Sequence, residues 1–502
     1  MSATRQFIRG SSLLLVGRFV SLFLNFLVQV LTVRYLAKAD FGSFAYALGV
    51  ASLGSNVLLL GMGKAIARFV PMYDEQKDYA RAFGCIALAT LTIWGLGLVS
   101  MLALFVSQGA VARAAHIGAE SLSLLLTLSV MAPLDAFDNL LQQLAAVFCS
   151  PRAIFLRRQL LGPGARLAAV GVVLAFGGDV YHLALGYVAG SVLGVSLYIV
   201  TLVREWRERG LLQHLRPRAL RWPARELFGF SLPLLSTDMS VALRGSLMVI
   251  LLEYFHRPVA VAEFRAVMPV AGLNLVVFQA FSFLFVPMAS RMFARGDREG
   301  IDDLYWKTSL WIALLTFPVF VVTCLMAPSV TVMLFGQRYA RAGTLLAVLA
   351  VGHYFNAALG FNAATLRVHG KVRIIVASDI LTAILTVALG LALVPSYGAL
   401  GAAFATTATL ILQNVFNQAG LWLAGTGIQP LSWSFVRTYV LVGAASAVLV
   451  AAELVFSPPK YALAVLGAIA AIAVIRLARH WVDAKGTFPE LLRVPLLRQL
   501  LT

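Results

Sequence analysis

Arg18, Asp135, Asp138, Arg166, Asp238, Arg244 and Asp379 carry charge inside stretches that are otherwise apolar; Arg18, for example, interrupts LLLVGRFVSLFLNFLVQVLTV. A charged side chain at the centre of a membrane helix costs about 2.5–3.5 kcal/mol on insertion scales, so it faces protein or water rather than lipid. An arginine so placed offers a forked set of donors that suits a phosphate or diphosphate. A carboxylate so placed suits a proton, a sodium ion or an organic cation. Amides reinforce the pattern: Asn25 and Gln29 fall within about 40° of Arg18 on an ideal helix, and Ser21 and Thr32 widen that stripe. Thr406, Gln413 and Asn417 form a comparable row, as do Asp135, Asp138, Asn139 and Gln142. The candidate substrate-binding set is therefore Arg18, Asn25, Gln29, Asp238, Arg244, Gln413 and Asn417, with Asp135, Asp138, Arg166 and Asp379 as ion-coupling or structural residues.

Each of these has a plainer reading. Amides and hydroxyls in membrane helices often bond a neighbouring helix and handle no ligand. Asp135 and Asp138 can pair with Arg166, and Asp238 is the nearest acid in sequence to Arg244, although six residues set the two about 120° apart. Asp379 with Thr382 and Thr386 is equally open. Gly186, Gly190 and Gly194 make a small-residue face suited to helix packing. GMGK at 61–64 has neither the spacing nor the hydroxyl of a nucleotide-binding loop. Cys85, Cys149 and Cys324 show no ligand spacing and the histidines are scattered singly, so no metal or disulfide framework is expected.

The chain that positions these residues is 60% hydrophobic and 12% charged, with a mean hydropathy of +0.86, against about a quarter charged in ordinary soluble domains. The expected class is an all-α integral membrane protein. Windows of about 20 apolar residues, the length that crosses a bilayer, can be placed fourteen times, the first near 11–34, the seventh near 227–252 and the last near 461–479. With an inner amino terminus the loops on that side hold 29 of the 40 Lys and Arg and the opposite loops hold 8, leaving Arg18, Arg166 and Arg244 inside spans. The net charge of +18 is thus largely topology rather than a nucleic-acid surface. Both termini are expected in the cytoplasm, and the first span is read as an uncleaved helix.

FVPM occurs at 69–72 and again at 285–288, ending spans 2 and 8, and YHLALG at 181 opens span 6 as YGALG at 397 opens span 12. Both offsets are 216 residues. Six helices separate the copies, so the expectation is two parallel six-helix repeats related by a pseudo-twofold along the membrane normal. The predicted organisation is an amino-terminal lobe over 1–205, a basic cytoplasmic linker over 206–226, a second lobe over 227–425, and helices 13 and 14 with a tail over 426–502. Pro133, Pro163, Pro233, Pro269, Pro287 and Pro318 sit in or at the ends of spans, where they permit bends.

YLAKADFGSFAYA, GMGKAIARFVPMY, LFGQRYARAGTLLAVLAVG and VPSYGALGAAFATT give the chain, over about residues 1–425, a resemblance to the Wzx-type polysaccharide and oligosaccharide flippases of the MOP superfamily, which also contains lipid II flippases and MATE exporters. That resemblance implies two lobes around a cavity open to one side at a time. It also implies an undecaprenyl-pyrophosphate-linked glycan as cargo, moved from the cytoplasmic to the periplasmic leaflet of a bacterial inner membrane. No cofactor is expected, the membrane potential or an ion gradient being the energy source. Partners would be the lipid-linked glycan, membrane lipids, and polysaccharide polymerase and export machinery, with the protein working as a monomer. Two other classes compete: a MATE-like cation-coupled antiporter, which would use cavity carboxylates such as Asp238 and Asp379, and a membrane-embedded glycan polymerase or ligase, for which the outer loops are short.

Overall fold

A computed structural model of the protein describes residues 3–215, 220–456 and 459–478; the tail beyond 478 and Ala219 lie outside the described residues. Helices account for nearly all of what is described, with no strand among those residues. A chain in lipid requires this, because its backbone groups must bond within each segment. Among the described residues eleven helices are long and apolar enough to cross a membrane. Two of them far exceed one crossing, Val372–Leu423 and the 45-residue run Asp238–Ser282, which would extend roughly 68 Å, over twice a hydrocarbon core. Its regularity breaks at Arg257 (φ 66°), and that of Val372–Leu423 breaks at Gly398 (φ 55°). At Gly398 the chain doubles back, since Gln413 reaches Asp379 and Gly420 packs on Ile374 across the break. Counting each as two crossings, and adding the carboxy-terminal helix Lys460–Ala478, gives fourteen.

Two compact units divide at Arg265. The first contains α1 (Ala3–Tyr35), α2 (Lys38–Leu59), α3 (Met62–Glu75), α4 (Tyr79–Val106), α5 (Gln108–Ala114), α6 (Ala119–Leu128), α7 (Met131–Phe148), α8 (Pro151–Ile154), α9 (Gly162–Phe176), α10 (Val180–Glu208) and most of α11 (Ala224–Ala271). A π-helical segment, Phe155–Leu161, joins α8 to α9. The core is built on the apolar stripe of α3, where Met62, Ala65, Ile66, Phe69, Val70 and Tyr73 are buried with the 3–4 spacing of one helix face. Span 7, the part of α11 before Arg257, packs antiparallel on α2 and α3 through glycines. A Cβ on Gly49 would meet Val249 at 3.2 Å, one on Gly61 would meet the Ser231 carbonyl at 2.5 Å, and Gly42 abuts the Pro258 carbonyl. Polar contacts run along the same seam: Tyr73 Oη donates to Glu226 at 2.6 Å, Lys64 pairs with Asp238 at 2.6 Å, and Ser121 donates to Glu253 at 2.7 Å. The basic connection before α11 is anchored too, with the Arg221 amide donating to the Ala80 carbonyl and Arg209 donating to the exposed end of α7 at Phe148.

The second unit holds the rest of α11, α12 (Val276–Ala294), α13 (Arg298–Phe320), α14 (Ala327–Phe335), α15 (Ala342–Ala358), α16 (Phe361–Val368), α17 (Val372–Leu423), α18 (Trp433–Phe456) and α19 (Lys460–Ala478). Phe285, Trp311, Phe317 and Phe361 are fully buried in its core.

The two FVPM segments lie in α3 and α12, each with its proline inside the helix and its phenylalanine buried. Both helices then end in the same way. Lys77 (φ 57°) and Gly296 (φ 75°) take the left-handed conformation, and the next residue donates its amide five residues back, Asp78 to Tyr73 and Asp297 to Met292. That same aspartate caps the following helix, accepting from Arg81 and Gly300 amides respectively. The segments that open at Tyr181 and Tyr397 are alike too: Gly186 abuts Ala169 and Gly401 abuts Leu393, each on the preceding span. The two FVPM helices thus share a hydrogen-bonding pattern at their ends as well as a tetrapeptide.

Candidate functional site

A polar cavity of about 250 Å³ lies inside the first unit, lined by α1, α7, the π-helical segment, α9 and α10. Asn25, Asp135, Asp138, Gln142 and Arg166, all singled out by spacing alone, converge on it. Asp138 accepts from Gln142 Nε2 at 2.7 Å and pairs with Arg157 at 3.6 Å. Arg166 supplies the positive charge felt by Asp135. Asn25 spends its amide locally, donating to the Ser21 carbonyl at 2.8 Å.

Arg157 is the residue that sequence reasoning missed, having counted it with the basic inner loop. It stands instead in the membrane-spanning helix, 6% exposed. One nitrogen, Nη2, donates to the Gly194 carbonyl, and the guanidinium covers the Tyr198 ring, while Nε and Nη1 have no hydrogen-bond partner among the described residues. The wide π-helical turn re-aims the side chain inward, a distortion that recurs at functional positions. Gly194 leaves room for the guanidinium, so the small-residue run packs helices through Gly186 and Gly190, on Ala169 and Ala165, and lines the cavity with Gly190 and Gly194. Arg265, also counted as a loop residue, likewise lies within a helix and is partly buried.

The remaining predicted residues lie elsewhere. Arg18 is exposed on α1, and Gln29 donates to the Arg265 carbonyl at 3.3 Å. Arg244 is partly buried and donates from Nε to the Ser240 carbonyl at 3.3 Å. Asp238 is bridged not by an arginine but by Lys64 of the GMGK segment. In the second unit Gln413 donates to Asp379 at 2.8 Å, and Thr382 and Thr386 bond their own helix backbone. Asn417 is buried, with its side-chain oxygen unpaired among the described residues. An amide cluster that spacing did not flag, Asn356, Asn362 and Asn414, knits spans 10 and 12 together. Among the described residues no group of acidic, histidine or cysteine side chains has the arrangement of a metal site.

A family model described as "Polysaccharide biosynthesis protein" matches residues 7–293. The chain belongs to this family. An uncharacterised membrane protein of Methanocaldococcus jannaschii is 22% identical over 438 residues, 83% of this chain and 84% of that one. Among solved structures, a lipid II flippase in an inward closed conformation superposes with a TM-score of 0.71 at 12% identity, over 93% of this chain and 98% of its own. A multidrug resistance MATE family transporter of the MOP superfamily, inward-facing, gives 0.64 at 14% identity, over 81% and 95%. A MOP superfamily transporter from Pyrococcus furiosus, described as having a binding pocket of reversed polarity, gives 0.59 at 16% over 84% and 95%. This member of the family therefore has the MOP fold, the multi-pass membrane architecture its hydropathy predicts.

Proposed function

We propose that the protein is a flippase that carries an undecaprenyl-pyrophosphate-linked oligosaccharide from the cytoplasmic to the periplasmic leaflet of a bacterial inner membrane, by alternating access of two lobes. The observation that carries this reading is the family match, a polysaccharide-biosynthesis signature over more than half of the chain, on a fold shared with a lipid II flippase. Arg18 and Arg244 are the proposed diphosphate contacts, being arginines within the equivalent first helices of the two sequence repeats. The antiporter reading is weakened by its own carboxylates: Asp238 is bridged by Lys64 and Asp379 accepts from Gln413. An ion gradient or the membrane potential is the proposed energy source, and a single chain the proposed working unit.

Removal of the gene from its host tests the reading. Lipid-linked glycan should accumulate facing the cytoplasm, shielded from an impermeant periplasmic glycosidase, and return of the gene should clear it. Unchanged glycan export in the deletion strain, with a changed spectrum of drug tolerance, would favour the antiporter instead. Orientation is tested by cysteine labelling of intact cells: a cysteine at Ala340 should react with an impermeant reagent and one at Ala219 should not.

A further inference from the structure

Beside the polar cavity runs an apolar groove of about 450 Å³, and Arg157, Gly162 and Gly194 line both. Leu24, Leu160, Leu161, Ala168 and Leu197 line the groove. Its rim faces outward from the unit, with Leu160, Leu161 and Leu193 being 39%, 42% and 53% exposed. Exposed leucines on membrane-spanning helices suit a lipid chain. Arg157 stands at the junction, in the first turn of the apolar stretch Phe155–Phe176 and hence near headgroup depth.

The arrangement of charge along this path is ordered. First comes the apolar groove, then a buried guanidinium with Nε and Nη1 unpaired among the described residues, then the carboxylates of Asp138 and Asp135 with Gln142 and Asn25 beside them. Two N–H groups left unpaired in a dry site are costly, and on different edges of the guanidinium each can donate to an anionic oxygen such as a phosphate's. Beyond the phosphate the cavity presents two acids, Asp138 and Asp135, which Arg157 and Arg166 balance, so its four charges sum to zero. A monoanionic headgroup would upset that balance; a zwitterionic one keeps it.

We infer that this composite site binds a bilayer phospholipid whose headgroup ends in a primary ammonium. Its chain lies in the apolar groove, its phosphate meets Arg157, and its ammonium donates to Asp138 and Asp135. Chain, phosphate, ammonium is the order of parts in an aminophospholipid, and groove, Arg157, carboxylates is the order of parts in the protein. A trimethylated ammonium has no N–H to donate to these acids, and a glycerol headgroup leaves them without a cation. The site does not depend on what the protein transports.

Native mass spectrometry of the purified full chain, titrated with dioleoyl phosphatidylethanolamine, phosphatidylglycerol and phosphatidylcholine, tests this. Phosphatidylethanolamine should bind about tenfold tighter than either of the others, the weight of one charge-assisted hydrogen bond. Arg157→Met should lose the tight binding of all three. The paired variant Asp135→Asn with Asp138→Asn, which keeps Arg157 and the shape of the cavity, should still bind lipid but without preference for the ethanolamine headgroup; it carries the test if Arg157→Met does not fold. Equal affinity for the three lipids in the unaltered protein would overturn the inference, as would an unchanged ethanolamine preference in the paired variant. Displacement of phosphatidylethanolamine by an equal concentration of a polyprenyl phosphate would overturn it too, because the site would then belong to the cargo.

Discussion

Arg18 and Arg244 carry the functional proposal, and they differ in surroundings: one is exposed on α1, the other is partly buried and bonded to its own helix at Ser240. If both read a diphosphate, Arg18→Ala with Arg244→Ala should insert at normal levels and abolish glycan export. Lysine at either position should rescue it partly, because an ammonium lacks the bidentate fork. Normal export from the well-expressed double variant would remove these arginines from the mechanism. At this scale the sequence was legible where polar residues repeat along one helix, as with Asp135, Asp138 and Gln142, which share a cavity. It was not legible at Arg157. The residue lies beside Arg158 in LRRQLL, which reads as a basic helix end, and the π-helical turn that directs the side chain inward depends on packing against Gly194 across 37 residues.

Helix ends and glycines offer sharper tests at the scale of elements. Gly61 has φ 71° and no space for a Cβ, which would sit 2.5 Å from the Ser231 carbonyl, whereas Gly229 is helical with nothing within 4 Å. Gly61→Ala should therefore lower the melting temperature in detergent by several degrees, since the left-handed conformation alone costs an alanine about 1–2 kcal/mol. Gly229→Ala should leave it unchanged or raise it, alanine being about 0.4–1 kcal/mol better in a compatible helix. Asp179 caps α10 by accepting from the amides of Tyr181 and His182. Those bonds, the His182 amide first, hold its carboxyl below the usual carboxylate range. A depressed carboxylate stabilises the fold above its unfolded pKa and loses that contribution as pH falls through the folded one. Protection of the amides at the start of α10, relative to the intrinsic exchange rate at each pH, should thus fall below about pH 4, and Asp179→Ala should lower it at neutral pH, a loss of about 1 kcal/mol. The crossings themselves were legible from hydropathy because lipid permits a run of that length one regular solution. The break at Arg257 was not visible as a break inside a helix, since it precedes a proline in a stretch that reads as an ordinary outer loop.

For the molecule as a whole, the repeats read from FVPM and YxxLG put a seam near residue 205 to 226, while the first compact unit runs on to Arg265. The difference is span 7, which covers Gly49 and Gly61 and is tied by Tyr73, Lys64 and Ser121, with Pro258 just past its end closing on Gly42. A fragment of residues 1–265 should be monodisperse in detergent and resist limited proteolysis, and a fragment of residues 1–215, with the glycine seam bare, should aggregate or be digested. Equal resistance of the two would show the seam to be dispensable. The consequence reaches into how such a gene can be recombined. The sequence repeat and the compact unit differ by one helix, so a chimaera joined between the repeats mates the first half of one parent to a foreign seventh helix. Every exchange of halves at that point has to match knob to glycine along a surface neither parent inherited together, and viable crossovers should cluster after span 7 rather than before it.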